Sequence, residues 1–275
     1  MAFSVNTNAG AFAALQNLNK TSSGLQTVQS RINTGQKVST AKDDAATFAI
    51  AQKLRGDVAG LNAVKSSLDR ASSTVDVAIA AGEAVSDLLI ELKEKAVAAK
   101  DSGLDTASRN SLNNDFNQLR SQITSIVDNA EFNGTNVVKS GGGAVVAITS
   151  DDGSNKISIG AQDLSVGGGK VTLSSGNTIS TAAGASAAVT AIEASINNVN
   201  DALSELGSGA KRIELQRGFV DKLSDSIEVG IGNLVDADLA KESASLQALQ
   251  VKQQLGLQAL SIANQAPSTV LGLFR

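Results

Sequence analysis

Histidine and cysteine are both missing from this chain of 275 residues, and that double absence narrows its chemistry sharply. It removes the Ser-His-Asp and Cys-His nucleophilic arrangements, every disulfide and the common zinc sites. Proline occurs once, at Pro267, so almost nothing interrupts helical hydrogen bonding before the last few residues. A polybasic run is also lacking. The formal net charge is -4, which leaves no electrostatic footprint for the phosphates of a nucleic acid. No stretch approaches the roughly eighteen consecutive apolar residues of a membrane helix. Met1 to Asn6 has neither the basic segment nor the apolar run of a secretory signal. The chain therefore reads as neither a membrane-inserted protein nor an ordinary signal-peptide substrate, and either cytoplasmic residence or another export route is open.

What is present is hydrophobic periodicity. With 42% hydrophobic residues, the chain can bury a core in one or two domains. Apolar positions recur at alternating spacings of three and four, which predicts five helices. The first carries Leu15, Leu18, Leu25 and Ile32, with Ser22 and Gln29 in its polar gaps, and ends at Gly35. A second follows Thr40-Ala41-Lys42-Asp43, which fits a capping box, and keeps an unbroken rhythm from Leu61 to Ala96. From Asp44 to about Ala98 it would form a rod of roughly 80 Å. Gly103 ends it. A third helix, folding back antiparallel, bears Leu112, Phe116, Leu119, Ile123 and Ile126 and closes at Phe132-Asn133-Gly134. The stripe from Val189 to Ile227 supplies the third member of a bundle. The fifth helix, from about Ala237 to Ala266, has Leu246, Leu249, Leu257 and Leu260 on one stripe and Val251, Leu255 and Ile262 on a second. It needs partners on two sides.

Residues 135–184 differ in character. Two glycine triplets and short β-branched runs at Val145–Thr149, Lys156–Ile159 and Val171–Leu173 predict small hairpins, arranged as a cap or arm on the bundle. The fold class expected is mainly α: a long antiparallel bundle or coiled coil with a small β-hairpin region, the chain ends forming a second coiled coil. The expected divisions are 1–40 with 236–275, 41–134 with 185–235, and 135–184.

Charge is distributed unevenly. Lys20 is the one charged side chain in residues 1–30, and residues 253–274 have none. A helix facing water normally carries a charged outer face. Terminal helices stripped of charge are expected where their whole circumference becomes covered, and because chain ends usually lie at a surface, burial by assembly is the better explanation.

Candidate catalytic clusters are weak. Gly167-Gly168-Gly169-Lys170 lacks the first glycine and the following Ser/Thr of a phosphate loop. Asp151-Asp152-Gly153 lacks the spacing of a calcium loop and reads as a hairpin turn. Asp43 and Asp44 are expected in the first turn of the second helix, where its dipole favours negative charge. Asp221 and Asp225, four apart, read as a solvated helix face, and Asp236 with Asp238 offers no better acid–base pair. No catalytic, metal or cofactor site is assigned.

Several segments together are specific. Ser4-Val5-Asn6-Thr7-Asn8, Asn17-Leu18, Arg31-Ile32-Asn33-Thr34-Gly35 and Ser39-Thr40-Ala41-Lys42-Asp43-Asp44-Ala45-Ala46 resemble the amino-terminal signature of flagellins. Asn233-Leu234, Asp236-Ala237-Asp238, Gln253-Gln254 and Ala263-Asn264-Gln265-Ala266-Pro267 followed by Val270-Leu271 resemble the carboxy-terminal one, and Phe132-Asn133-Gly134 matches the family's helix-to-hairpin junction. The resemblance covers about 190 residues in two blocks. It implies a structural subunit, not an enzyme, that self-assembles into the extracellular flagellar filament for swimming motility, is exported through the flagellum without signal cleavage, and has no cofactor. It further implies an inner layer of both chain ends, a cytoplasmic export chaperone on the carboxy-terminal segment, and flagellar cap and hook-associated proteins as partners. The expected assembly residues are Phe12, Leu15, Leu18, Leu25, Ile32, Asp43, Asp44, Leu246, Leu249, Val251, Leu255, Leu257, Leu260, Ile262, Val270 and Leu271.

Two departures from the family pattern matter. Only residues 135–184 stand where many flagellins carry a large outer domain. Glu91 and Lys95 stand where immune-recognised flagellins have an arginine and a leucine, so weak or absent recognition by the vertebrate flagellin receptor is expected. The nearest alternative within the structural class is a hook–filament junction protein.

Overall fold

Local signals place the helix ends before any packing is considered. The side chain of Asn8 accepts from the Ala11 N–H and starts helix α1, Ala9–Thr34, which Gly35 ends in the left-handed conformation at φ 70°. Asp105 does the same for α3, Thr106–Asn129, by accepting from the Ser108 N–H at 2.7 Å. Between them α2 is one unbroken helix, Ala45–Ala99, of 55 residues. The computed structural model describes residues 7–271, with side chains through Gln265. The remaining helices are α4, Ala182–Val235, and α5, Leu239–Leu271. Four short strands, β1 (Glu131–Phe132), β2 (Thr135–Asn136), β3 (Val145–Ile148) and β4 (Lys156–Ile159), form two antiparallel pairs. The chain is thus mainly α with a small β region, as the periodicity implies.

The chain divides into two compact units. One holds residues 1–56 with 226–275, the other residues 57–225.

In the central unit, the helices pair in a fixed register. Lys65 meets Asp221 at 3.0 Å, Asp69 meets Arg217 at 2.7 Å, and Lys93 meets Glu193 at 2.9 Å. Every step forward along α2 is matched by an equal step back along α4, so the two run antiparallel. Asp221 is therefore ion-paired across the bundle, not merely solvated. Leu61, Val64, Leu68, Val75, Val85, Leu89 and Leu92 of α2 are buried against this partner layer, and α3 adds Phe116, Ile123 and Val127. Arg109 closes the turn into α3 by donating to the carbonyls of Ala99 and Asp101.

The third helix stops at Asn129, short of the expected Phe132-Asn133-Gly134. Phe132 ends β1 instead, and Asn133-Gly134 make the β1–β2 turn. Asn133 at φ 50° and Gly134 at φ 79° supply the two left-handed residues that a tight hairpin requires and a helix cannot continue through.

Residues 137–181 lie along the helices and contribute to their core. Leu164, Val171, Leu173 and Ile179 are fully buried. The β3–β4 hairpin approaches closely because glycine faces it: a Cβ on Gly60 would lie 2.8 Å from the Asp151 carbonyl, and one on Gly209 would lie 2.7 Å from Ile159 Cδ1. The run Val171–Leu173 is not a strand. The Thr172 N–H donates to Ser195 Oγ at 3.0 Å and its hydroxyl to the Ala191 carbonyl, so the helix surface of α4 takes the place of a partner strand.

Candidate assembly interface

The terminal unit is built on α1 and α5. The Asn8 side-chain amide donates to the Ala263 carbonyl at 2.6 Å, Gly24 packs on Leu249, Gly256 on Leu18, and Arg31 pairs with Glu242 at 3.2 Å. Moving forward along α1 moves backward along α5, so the pair is antiparallel.

The contact seam differs from the one the large residues suggest. On α1 the seam runs through Ala11, Ala14, Leu18, Thr21, Leu25, Val28 and Ile32, a regular alternation of three and four, with Ser22, Gly24 and Arg31 half-covered beside it. Leu15 falls one position off that seam and is 43% exposed, whereas Val28 is buried. Tracking the largest side chains mistook Leu15 for a seam residue and missed Val28. On α5 the seam runs through Leu246, Leu249, Gln253, Gly256, Leu260 and Ala263. Leu257, expected with Leu246, Leu249 and Leu260, instead faces outward at 54% exposed. A glycine at 256 lets the helices approach more closely than a leucine would, so the small residue holds the seam.

Outward of the seam lies an apolar surface. Phe12 is 65% exposed, Val251 55%, Leu255 58% and Ile262 69%. No side chain of α5 through Gln265 is fully buried. Val270 and Leu271 belong to the backbone of α5, but their side chains lie outside the described residues, as does the segment Ser4-Val5-Asn6.

Segments far apart in sequence meet at the inner end of this pair. The N–H groups of Lys37 and Val38 donate to the Val235 carbonyl, the Ala237 N–H donates to the Gly35 carbonyl, and Gln36 bridges Asp236. A small core of Val38, Ala51 and Val235, with Phe48, Ile231 and Leu234 against it, holds the junction.

Asp43 and Asp44 both stand before α2, not in its first turn as expected. Asp44 caps the helix, accepting from the N–H groups of Ala46 and Thr47 and from the Thr47 hydroxyl. Asp43 gathers the N–H and hydroxyl of Thr40 and of Ser39 onto one carboxylate oxygen and folds the turn that precedes the cap. These bonds hold both carboxyls below their ordinary value of 3.8, those from Thr40 dominating at Asp43 and those from Thr47 at Asp44. Asp238 likewise caps α5, accepting from the N–H groups of Ala240 and Lys241, which places the start of that helix two residues past Ala237. Asp43, Asp44 and Asp238 thus serve as helix starts, whereas Asp221 and Asp225 lie inside α4. Among the described residues no cluster of acidic side chains could hold a metal ion, and no helix is long and apolar enough to cross a membrane.

Comparison with known proteins agrees with this placement of the signature segments. Residues 5–140 match the bacterial flagellin N-terminal helical region, and residues 189–274 match the C-terminal helical region. The chain belongs to the flagellin family. Flagellin FljK of Caulobacter vibrioides is 48% identical over 272 residues, covering 99% of this chain and 98% of that protein. The flagellin of Brucella melitensis is 34% identical, with 99% of each chain covered. This flagellin is accordingly a structural subunit that self-polymerises into the extracellular bacterial flagellar filament, and full-length likeness to flagellins disfavours the junction-protein alternative. A solved protein of Vibrio parahaemolyticus described as flagellar hook-associated covers 70% of this chain and all of itself at a TM-score of 0.58; its 14% identity speaks for a shared fold alone. Glu91 lies on the exposed side of α2 and Lys95 is half-buried.

Proposed function

We propose that this subunit polymerises through the outward apolar face of its terminal helix pair, with Phe12, Leu15, Val251, Leu255, Leu257 and Ile262 covered by neighbouring copies. The observation that carries this is a helix pair with large apolar residues more than 40% exposed and few charges to hold them in water. Covering six such side chains contributes roughly 1.5 to 3 kcal/mol each, which couples ordering of the ends to assembly. Residues 1–40 with 236–275 form the inner layer and 41–134 with 185–235 the layer around it, with 135–184 packed onto the helices of that second layer. Asp43 and Asp44 act indirectly, by fixing the turn from one layer to the next. The protein has no catalytic role. It leaves the cell through the flagellum without signal cleavage, after a chaperone has shielded its carboxy-terminal segment, and adds beneath a cap complex. Glu91 and Lys95 make it a weak ligand for the vertebrate flagellin receptor.

The test is a chain lacking residues 238–275. Circular dichroism and limited proteolysis should find the central unit folded, and electron microscopy should find no filaments. A truncated chain that still forms long filaments would overturn the proposal.

A further inference from the structure

Beside the β1–β2 turn, a cavity of about 220 Å³ opens between α2 and the edge of β3. Ala71, Phe132 and Val145 give it apolar walls, and no carboxylate lines it. The strand register decides which backbone groups face it. The Thr149 N–H donates to the Asn155 carbonyl, so Thr149 with Asn155, Ala147 with Ile157 and Val145 with Ile159 are the hydrogen-bonded pairs of the ladder. Val146 and Ile148 alternate with them and turn their N–H groups outward. Ile148 donates to Ser67 Oγ of α2 at 3.2 Å, which fixes that edge as the one facing α2. Val146 lines the cavity, and among the described residues its N–H meets no acceptor.

Three more donors at this cavity are unspent among the described residues. Ser67 is 7% exposed and receives the Ile148 N–H, but its own hydroxyl proton has no acceptor. A buried polar group with unused capacity is uncommon. The side-chain amide of Asn133 makes no hydrogen bond, and Arg70 makes no ion pair, its neighbour Asp69 being held by Arg217 at 2.7 Å. Thr74 is different, since its hydroxyl is taken by the Arg70 carbonyl at 2.8 Å. Four free donors, one of them a guanidinium, converge on a space without a carboxylate, and this is the complement of an oxyanion. Water matches it less well, because a water molecule gives hydrogen bonds as well as taking them.

We propose that this cavity binds a small oxyanion of the phosphate class, as the free ion or as the phosphomonoester end of a larger molecule. Arg70 supplies the charge, and the Val146 N–H, the Ser67 hydroxyl and the Asn133 amide donate to the oxygens. Arg70 and Asn133 are exposed, so the mouth opens to solvent and an ester group has room to point outward. The bound ion joins α2, the β1–β2 turn and the β3 edge through one ligand. The site calls on no second copy, and its loss would leave the filament reading intact.

Amide NMR of the isotope-labelled, full-length monomer tests it, with orthophosphate titrated against sodium chloride at matched ionic strength. The amides of Ser67, Gly134 and Val146 should shift saturably, with half-saturation at roughly 1 mM orthophosphate, and chloride should not reproduce the shifts. Arg70→Gln and Asn133→Asp should each weaken binding about tenfold or more, the first by removing the charge and the second by adding a repelling one. Both positions are exposed, and aspartate keeps the left-handed conformation of the turn. Glycerol phosphate separates the two sources: binding as tight as orthophosphate or tighter assigns the phosphomonoester end, and binding of orthophosphate alone assigns the free ion. The proposal is overturned if neither phosphate shifts these amides by roughly 20 mM, if chloride shifts them equally, or if both variants bind with unchanged affinity. If circular dichroism shows a variant unfolded, the titration of the unaltered chain against chloride decides.

Discussion

The two units of the chain handle apolar surface in opposite ways. In the central unit, helix and loop residues from Leu61 to Val220 close over one another, with Phe116, Leu89, Leu92, Leu164 and Ile192 at no exposure. In the terminal unit α1 buries only Leu25 and Val28, each still 8% exposed, and α5 buries nothing through Gln265. Both use heptad spacing. The difference is the number of partners: two helices cover one seam each, whereas a helix in a bundle with an attached loop layer is covered on several sides. The central unit is a finished core, and the terminal pair is half of one.

The largest expected effect lies in the finished core. Phe116→Ala should lower the stability of the monomer by about 3–5 kcal/mol, because it removes a fully buried aromatic side chain and leaves a cavity; urea unfolding of the monomer measures it. The paired change Leu255→Asp with Ile262→Asp should shift the same curve by less than about 0.5 kcal/mol, since both residues are exposed, and yet abolish filaments in electron micrographs. A loss of monomer stability comparable to that of Phe116→Ala would mean that the terminal pair is covered within the chain, and the contrast would fail.

A smaller effect is expected where the hairpin meets α2. Gly60→Ala should cost about 1–3 kcal/mol, because the added methyl meets a backbone carbonyl that cannot step aside; thermal unfolding measures it. Smaller again, Asn8→Ala should remove the start of α1 and its tie to the Ala263 carbonyl, at about 1 kcal/mol. Hydrogen exchange should rise in the terminal pair alone, and a rise spread through the central unit would break the comparison.

The smallest effect is with pH. The carboxyl of Asp152 in the β3–β4 turn is held down to about 2 by the Ser150 hydroxyl and then by the N–H and hydroxyl of Ser154. Its folded value lies below the ordinary 3.8, so its stabilisation is complete above that value and is lost as pH falls toward about 2. Asp44 and Asp105 share the sign, dominated by Thr47 and Ser108 respectively. Acid should therefore loosen this turn and the starts of α2 and α3 between about pH 4 and pH 2. Asp152→Asn should flatten that response in the hairpin without touching filament formation at neutral pH.

Much of this was legible in the sequence. Gly35 as a stop, the unbroken rhythm of α2 and the uncharged ends all follow from periodicity and composition, because helix geometry repeats every 3.6 residues whatever surrounds it. The seam of the terminal pair was less legible. Leu15 and Leu257 are large and correctly spaced for a stripe, but Gly24 and Gly256 allow close approach, and close approach decides which stripe becomes the seam. The fate of Val171–Leu173 was likewise hidden, since a β-branched run reads as a strand until Ser195 and Ala191 of α4 offer its backbone and hydroxyl other partners.

The sequence by itself determined the number and order of the helices, the family and the absence of histidine and cysteine chemistry. Only the tertiary structure decided that Asp43 and Asp44 build a turn and a cap, that Gln36 meets Asp236 from the far end of the chain, and which apolar residues remain outside. The reason is physical. Periodicity along one helix specifies a face, but whether that face is buried depends on the helices packed against it, and that is fixed by contacts between residues up to 255 positions apart.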